Sequence, residues 1–227
     1  MERTLRESKW EIFSSIRTRA PFFVRADGRG FSKLLSSFEK PYDVGFARAM
    51  SRSARSLMEE SGLSPSLAFL ISDEINLLFL DHPFNGRVEK LDSVVAGFLS
   101  GALSLSLGQA VSMDARVIPV CPGEILEYLG QGQDEAWRNH VFSCGFYSLL
   151  EEGMSNARAM DMLRGMKESQ IHELLFQRGQ NLARSPSWQR RGTLVYRRDG
   201  SVVEDWEIPL FRSPEGEAFL QGIISKE

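Results

Sequence analysis

Two short acidic segments carry the chemistry that this sequence can offer. The first, Arg25-Ala26-Asp27-Gly28-Arg29-Gly30-Phe31, follows Pro21-Phe22-Phe23-Val24, an apolar stretch that reads as a buried strand. The second, Ser72-Asp73-Glu74, lies between two strand-like runs, Leu67 to Ile71 and Ile75 to Leu80. Either segment alone reads as an ordinary turn or a solvated hairpin tip. Together, on adjacent strand ends, they would bring Asp27 and Asp73 into reach of shared divalent metal. Magnesium takes oxygen ligands and needs only one or two protein carboxylates when substrate phosphates supply the rest. Two such ions activate an attacking oxygen and stabilise a leaving one, which is what nucleotidyl transfer requires. The backbone amides of Gly28, Arg29 and Gly30 are candidates to cradle phosphate, because glycine lets a ligand approach closely.

Other charged residues read less sharply. Lys40 is a candidate counter-charge for a triphosphate, with a plain surface lysine as the equal alternative. Asp43 sits where it would cap the following helix. Arg48, Arg52 and Arg55 form a stripe that reads as a solvated helix face. From Leu174 to Arg198 there is no acid but there are six arginines: Arg178, Arg184, Arg190, Arg191, Arg197 and Arg198. Trp188 and Tyr196 are interleaved with them. Arginines contact phosphate and aromatic rings stack on bases, so this run is expected to touch nucleic acid.

The elements that must position these groups follow from periodicity. Residues Met1 to Thr18 read as an amphipathic helix with Leu5, Trp10, Phe13 and Ile16 on its apolar side. Helices are expected over Val44 to Ser61 and Arg87 to Leu107, with a fourth strand over Val111 to Val120. The order strand, helix, strand, strand, helix, strand is that of a ferredoxin-like α/β (α+β) sheet with two helices on one face. A right-handed crossover makes the first and second strands parallel, with the third antiparallel between them. Asp27 then ends one strand beside the start of the next, where Asp73 and Glu74 lie.

The pattern changes after residue 121. Residues 1–121 read as the catalytic sheet domain and 122–227 as a helical region packed on it. Within the latter, helices are expected over Gly123 to Leu129, Glu135 to Glu152, Asn156 to Arg164 and Glu168 to Arg178. Gln180 to Gln189 reads as irregular. A terminal hairpin turns at Asp199-Gly200 between Gly192 to Arg198 and Val202 to Ile208.

A net charge of −3 over 227 residues argues against a protein that coats nucleic acid non-specifically, without excluding a local basic surface. Cys121 and Cys144 match no zinc spacing and read as buried free thiols. No signal sequence opens the chain and no run approaches the ~20 apolar residues of a membrane span. These features point to a cytoplasmic protein without a membrane partner.

The two acidic motifs, in this order and setting, resemble the tRNA(His) guanylyltransferase family, including its archaeal and bacterial 3′–5′ polymerase relatives. Lys40-Pro41-Tyr42-Asp43 looks like the family's Lys-Pro-x-Asp segment. Glu173-Leu174-Leu175-Phe176, Gly179, Asn181 and Arg190-Arg191-Gly192 echo its C-terminal signature. The resemblance implies a polymerase-like palm that adds nucleotides to the 5′ end of tRNA after activating the 5′-phosphate, with two magnesium ions, and with GTP and ATP as substrates. It implies that Asp27 and Asp73 bind both metals, with the Gly28 carbonyl on one, and that Glu74 supports them. Asp27, Gly28, Arg29, Gly30, Phe31, Ser32, Ser72 and Asp73 would line the nucleotide site, and Lys40 and Asp43 would serve the triphosphate or the activation step. A dimer or tetramer is implied as well. Gly30 and Ser32 stand where the family often has Asn and His. His140-Val141-Phe142-Ser143-Cys144 replaces the eukaryotic His-Ile-Asn-Asn-Leu-Tyr-Asn segment, which leans toward the archaeal and bacterial branch. Two other readings stay open: a palm enzyme that cyclises free nucleotides, and a non-catalytic RNA-binding module on a ferredoxin-like sheet.

Overall fold

In the computed structural model, which describes residues 11–225, the first acidic segment hangs from the end of a buried strand. Strand β1 (Phe22–Gly28) turns Phe22, Val24 and Ala26 toward one helical layer and Phe23 toward another. The short helix α1 (Phe31–Leu34) follows, then α2 (Val44–Glu60). Strands β2 (Leu67–Ile71) and β3 (Glu74–Phe79) form a hairpin, and α3 (Val88–Leu107) leads to β4 (Met113–Pro119). The expected caps are present. Asp43 accepts the Phe46 amide at the start of α2, and Gly108 closes α3 at φ 66°.

The sheet order is β4-β1-β3-β2, with β1 and β2 each antiparallel to β3. This is the ferredoxin-like α/β arrangement expected from the sequence. It continues through β5 (Thr193–Arg198) and β6 (Ser201–Asp205), giving six strands with every neighbour antiparallel. The C-terminal hairpin is therefore part of the same sheet, with β5 sealing the edge of β2.

Helices cover both faces. On one, α2 and α3 bury Met50, Leu57, Leu91, Val95, Leu99 and their neighbours against β1 and β3. On the other lies α4 (Ile125–Glu151), a single helix of 27 residues. The sequence suggested two helices there, broken at Gly130-Gln131-Gly132-Gln133. The glycines instead let the helix pass close to its neighbours. A Cβ on Gly132 would stand 2.9 Å from the Phe69 ring, and one on Gly130 would stand 3.0 Å from Arg212 Nε. The outer half of α4 forms a separate apolar cluster with α5 (Asn156–Arg164) and α6 (Glu168–Gln177), through Val141, Leu149, Leu163 and Leu175. A short α7 (Ser187–Arg191) occupies part of the stretch that read as irregular, and α8 (Pro214–Ile224) follows the hairpin. Helix α8 went unpredicted although Ser213-Pro214 supplies its cap and first turn; it adds Leu220 and Ile223 to the α4 face.

Three other expectations change. Residues 12–15 form turns rather than a helix, and Phe13 and Ile16 are exposed. Their segment spends its backbone bonds elsewhere: Thr18 donates to Gly86 and Val88 donates to Ile16. Leu5 and Trp10 lie outside the described residues. Helix α3 is long and apolar enough, by length and composition, to cross a membrane, with a mean hydropathy of 1.2 in its best window. Here it lays Leu91, Val95, Leu99 and Leu103, all fully buried, on the sheet. Cys121 is exposed rather than buried, and Cys144 is half-buried.

Candidate active site

The loop after β1 is pinned by its own aromatic ring. Phe31 is 3% exposed, and a Cβ on Gly28 would fall 2.3–2.4 Å from its ring atoms, so only glycine fits at the end of the strand. Gly30 adopts φ 71° to enter α1, a left-handed conformation that glycine takes without strain. The Arg29 amide donates to the Ser112 carbonyl at 2.9 Å. That amide is not available to a phosphate, contrary to one of the options read from the sequence.

Asp27 is paired in register with Glu74 on β3 and with Asp114 on β4, so three carboxylates stand in a row across the sheet. The outer two have arginines. Arg25 Nε lies 3.8 Å from Glu74, and Arg116 Nη2 lies 2.8 Å from Asp114. Asp27 and Asp73 make no ion pair among the described residues.

Asp73 belongs to a two-residue turn, since Ile71 and Glu74 are register partners. Ser72 sits in it at φ 54°, a left-handed conformation uncommon for a non-glycine residue. Strain of this kind, roughly 1–3 kcal/mol, collects at functional sites. Burial raises the Asp73 carboxyl above the usual range, and the negative charge of Asp27 raises it further. The two carboxylates are thus close enough to repel.

Glu74 is held by a polar network that sequence reading missed. Asn76 Nδ2 donates to Glu74 Oε1 at 2.8 Å, and the Tyr128 hydroxyl donates to Asn76 Oδ1 at 2.7 Å. Asn76 is 2% exposed. Burial pushes the Tyr128 phenol up to about 12, so it stays a donor at neutral pH. Burial also raises Glu74, while the Asn76 bond and Arg25 draw it back. The one signal available was an amide, Asn76, inside the apolar run of a central strand.

Lys40, Asp43 and Ser72 come together around a cavity of about 240 Å³ beside the acidic turn. Phe38, Phe46, Tyr42 and Trp188 make its apolar walls; Asn139 and Ser143 add polar groups. Asp43 is committed to backbone, accepting from Phe46 at 2.8 Å and from Glu39 at 3.1 Å, and the Phe46 bond foremost holds its carboxyl below the usual range. Tyr42 packs against His140, with ring centres 5.4 Å apart, and against Trp188 at 5.8 Å. His140 is fully buried; burial first and the charge of Arg190 second push it down to about 4, so it is neutral at physiological pH. Arg29, Gly30 and Phe31 line a different hollow, of about 570 Å³, shared with Lys33 and Ser112. Ser32 is exposed and lines neither. The candidate nucleotide residues therefore fall on two sides of the Asp27 loop.

The six arginines of the acid-free run do not form one surface. Arg178 pairs with Glu152, Arg184 is exposed, and Arg198 approaches Asp199 at 4.0 Å. Arg197 donates to the Met58 carbonyl at the end of α2. Arg197 and Arg198 border one hollow beside Phe219, while Arg190 and Arg191 meet in a separate cavity shared with Arg212.

Among the described residues no group of three or more His, Cys, Asp or Glu side chains is gathered for a metal. The pair Asp27 and Asp73 nonetheless fits magnesium. Both are half-buried, they repel each other, and neither forms an ion pair among the described residues. Two carboxylates are what this ion takes from a protein when phosphates complete its shell.

Comparison with known proteins bears on the family and the fold. A family model described as Thg1, tRNAHis guanylyltransferase, matches residues 5–128, more than half of the chain. The probable tRNA(His) guanylyltransferase of Drosophila melanogaster is 31% identical over 191 residues, covering 77% of this chain and 66% of that protein. The tRNA(His) guanylyltransferase 1 of Arabidopsis thaliana is 28% identical, covering 77% and 33%. That of Schizosaccharomyces pombe is 27% identical, covering 81% and 75%. The chain thus spans between a third and two thirds of the lengths of the Arabidopsis and fly proteins. A bacterial tRNA(His) guanylyltransferase (Thg1)-like protein in complex with ATP shares the fold, at a TM-score of 0.81 and 19% identity over 95% of this chain and 96% of that one. The Saccharomyces cerevisiae tRNA(His) guanylyltransferase does so at 0.74 and 22%, over 85% and 92%. By its sequence match and its sheet, the chain belongs to the tRNA(His) guanylyltransferase family.

Proposed function

We propose that the chain is a nucleotidyltransferase that extends the 5′ end of a tRNA, with two magnesium ions held at Asp27 and Asp73. One observation carries the reading: two half-buried carboxylates that repel each other and form no ion pair among the described residues, beside a cavity of base or nucleoside size. Bacterial relatives form complexes with ATP and with GTP, and the same triphosphates are the expected substrates here.

In this reading the RNA 5′-phosphate first takes a nucleotidyl group from a triphosphate and releases pyrophosphate. The 3′-hydroxyl of an incoming nucleotide then attacks that 5′ phosphorus and expels the nucleoside monophosphate. Bound magnesium would polarise the transferring phosphoryl group and favour ionisation of the attacking hydroxyl. Asp27 and Asp73 hold the cations, and the Gly28 carbonyl adds a ligand. Asn76 and Tyr128 fix Glu74 next to Asp27. Lys40 offers its ammonium to phosphate, while Tyr42 and Trp188 exclude water from the base. Helices pack on both faces of the sheet and bury Phe23 and Phe69 of its inner strands, the kind of ring on which an RNA-binding module of this topology stacks bases.

The test offers labelled nucleotides and magnesium to tRNAs that are complete or lack their first base, and maps where label appears. Asp27→Ala and Asp73→Ala are expected to abolish addition while the protein stays folded. Full activity in either variant removes the metal assignment, and cyclic product without RNA would favour a cyclase.

A further inference from the structure

Outside the site described above, α4 and α7 enclose a second cavity, of about 490 Å³. Arg190, Arg191 and Arg212 line it, with Trp137 and Leu210 as its apolar part. Arg190 and Arg191 are anchored by their own bonds. Arg190 Nε donates to the Ser185 carbonyl at 2.9 Å, and Arg191 Nη1 donates to that of Ile208 at 3.0 Å. A guanidinium has five N–H donors, so each anchored group keeps others for a ligand. Arg212 Nη2 lies 3.1 Å from Asp134, the one acid among the lining residues. Three positive charges thus line the cavity with one acid, and the carboxylate of Glu207 also acts on Arg190. The crowding is felt inside the cluster: burial, then the charge of Arg191, lowers the proton affinity of Arg190. An anion entering here relieves that repulsion.

The cavity connects to the acidic edge. Asp134 also lines a polar cavity of about 330 Å³ that holds Arg25, Glu74, Asn76 and Arg138. The two adjoin along α4, where residues 131 to 137 cover about 9 Å at the helical rise. An RNA strand running from Glu74 toward the three arginines would pass Arg25 and Arg138 together with the carboxylates of Asp134 and Glu135.

We propose that this cavity binds one nucleotide of the unpaired 3′ tail of the tRNA whose 5′ end lies at Asp27 and Asp73. The inference rests on the reading of the chain as an enzyme of tRNA 5′ ends, because the strand beside that end is the tail. Arginines match phosphate bidentately, and a base that is not paired can stack on an aromatic ring such as Trp137. An acidic peptide would use the charges but not the ring.

The experiment measures binding of the full chain to intact tRNA and to tRNA trimmed of its tail, in chelator so that no turnover occurs. Trimming is expected to weaken wild-type binding about tenfold, the scale of one stacked, phosphate-contacted base. In Arg190→Gln/Arg212→Gln the two RNAs should bind alike, near the wild-type level for trimmed RNA. Arg212→Gln alone alters a side chain that is 56% exposed, so it serves where the double variant fails to fold, and it should shrink the difference. The inference is overturned if trimming costs the wild type nothing, if the variants keep the full tenfold difference, or if polyglutamate displaces the tail as well as short RNA does. Nucleotide addition is assayed separately with magnesium. Absence of addition with the tail effect intact sinks only the catalytic reading, and addition without a tail effect sinks only this one.

Discussion

Replacing Gly132 by alanine tests the contact that seats α4 on the sheet and, through it, the acidic turn. In a helix interior the exchange normally stabilises by about 1 kcal/mol, because glycine is the costlier residue there. At this position the new Cβ would lie 2.9 Å from Phe69 Cε1 and 3.3 Å from Ile71 Cδ1. Phe69 is 1% exposed and set edgewise on Phe211, with ring centres 5.2 Å apart, so its ring has little room to yield. Overpacking of this kind costs about 1–3 kcal/mol. The sum runs from about zero to about 2 kcal/mol of lost stability. Gly97 and Gly101 on α3 are the controls, since a Cβ on either meets nothing within 4 Å. Each should gain about 0.5–1 kcal/mol on conversion to alanine. Urea unfolding of the three variants, at equal m-values, measures the difference. Ile71 immediately precedes the Ser72-Asp73 turn, so Gly132→Ala should also lower nucleotide addition while the α3 variants leave it unchanged. A Gly132→Ala protein as stabilised as Gly97→Ala would refute the close seating of α4.

The other predictions concern protons. Asp73→Asn, in chelator-treated protein, should be more stable than wild type at pH 7 and inactive. The folded-state carboxyl is raised, so its cost is absent below the unfolded value near 3.8 and complete above the folded one; the advantage should vanish as pH falls toward 4. A less stable variant at pH 7 would contradict the repulsion between Asp27 and Asp73. Tyr128→Phe leaves Asn76 Oδ1 buried without its donor, which costs about 1–3 kcal/mol in urea unfolding. Loosening Asn76 should also move the acid limb of the activity profile upward, because Glu74 loses the bond that lowers it. His140 is depressed to about 4, so its contribution is present above pH 6.5 and is lost as pH falls toward 4, by up to about 3 kcal/mol at 1.36 kcal/mol per unit. His140→Leu should flatten that stretch of the stability curve, and an unchanged slope would place the titration elsewhere.

The first half of the chain was legible because its signals are local. Short apolar runs mark β1 to β3, Asp43 and Gly108 bound the helices, and the crossover rule then fixes where Asp27 and Asp73 must lie. The second half was not. Gly130 and Gly132 fall in the gap left between two expected helices, and become contact points only when Phe69 and Arg212 are in view. The pairing of β5 with β2 joins residues more than a hundred positions apart, and no local pattern announces it. The arginine run looked like one surface because it is continuous in sequence. Folding sends Arg178 to Glu152, Arg197 to α2, and Arg190 and Arg191 to a cavity of their own with Arg212. Asn76 and Tyr128 were invisible as a pair, since the bond between them spans 52 positions.

The seal that β5 makes on β2 gives the far end of the chain a structural duty. A chain cut after residue 128, where the family model's match ends, would bare the backbone donors and acceptors of β2 along with the ring of Phe69. An open, apolar border of that sort recruits further strands from other molecules. The sheet is therefore completed by residues from far down the chain, and shortening the protein to the stretch that the family model covers would yield aggregate before it yielded a smaller fold.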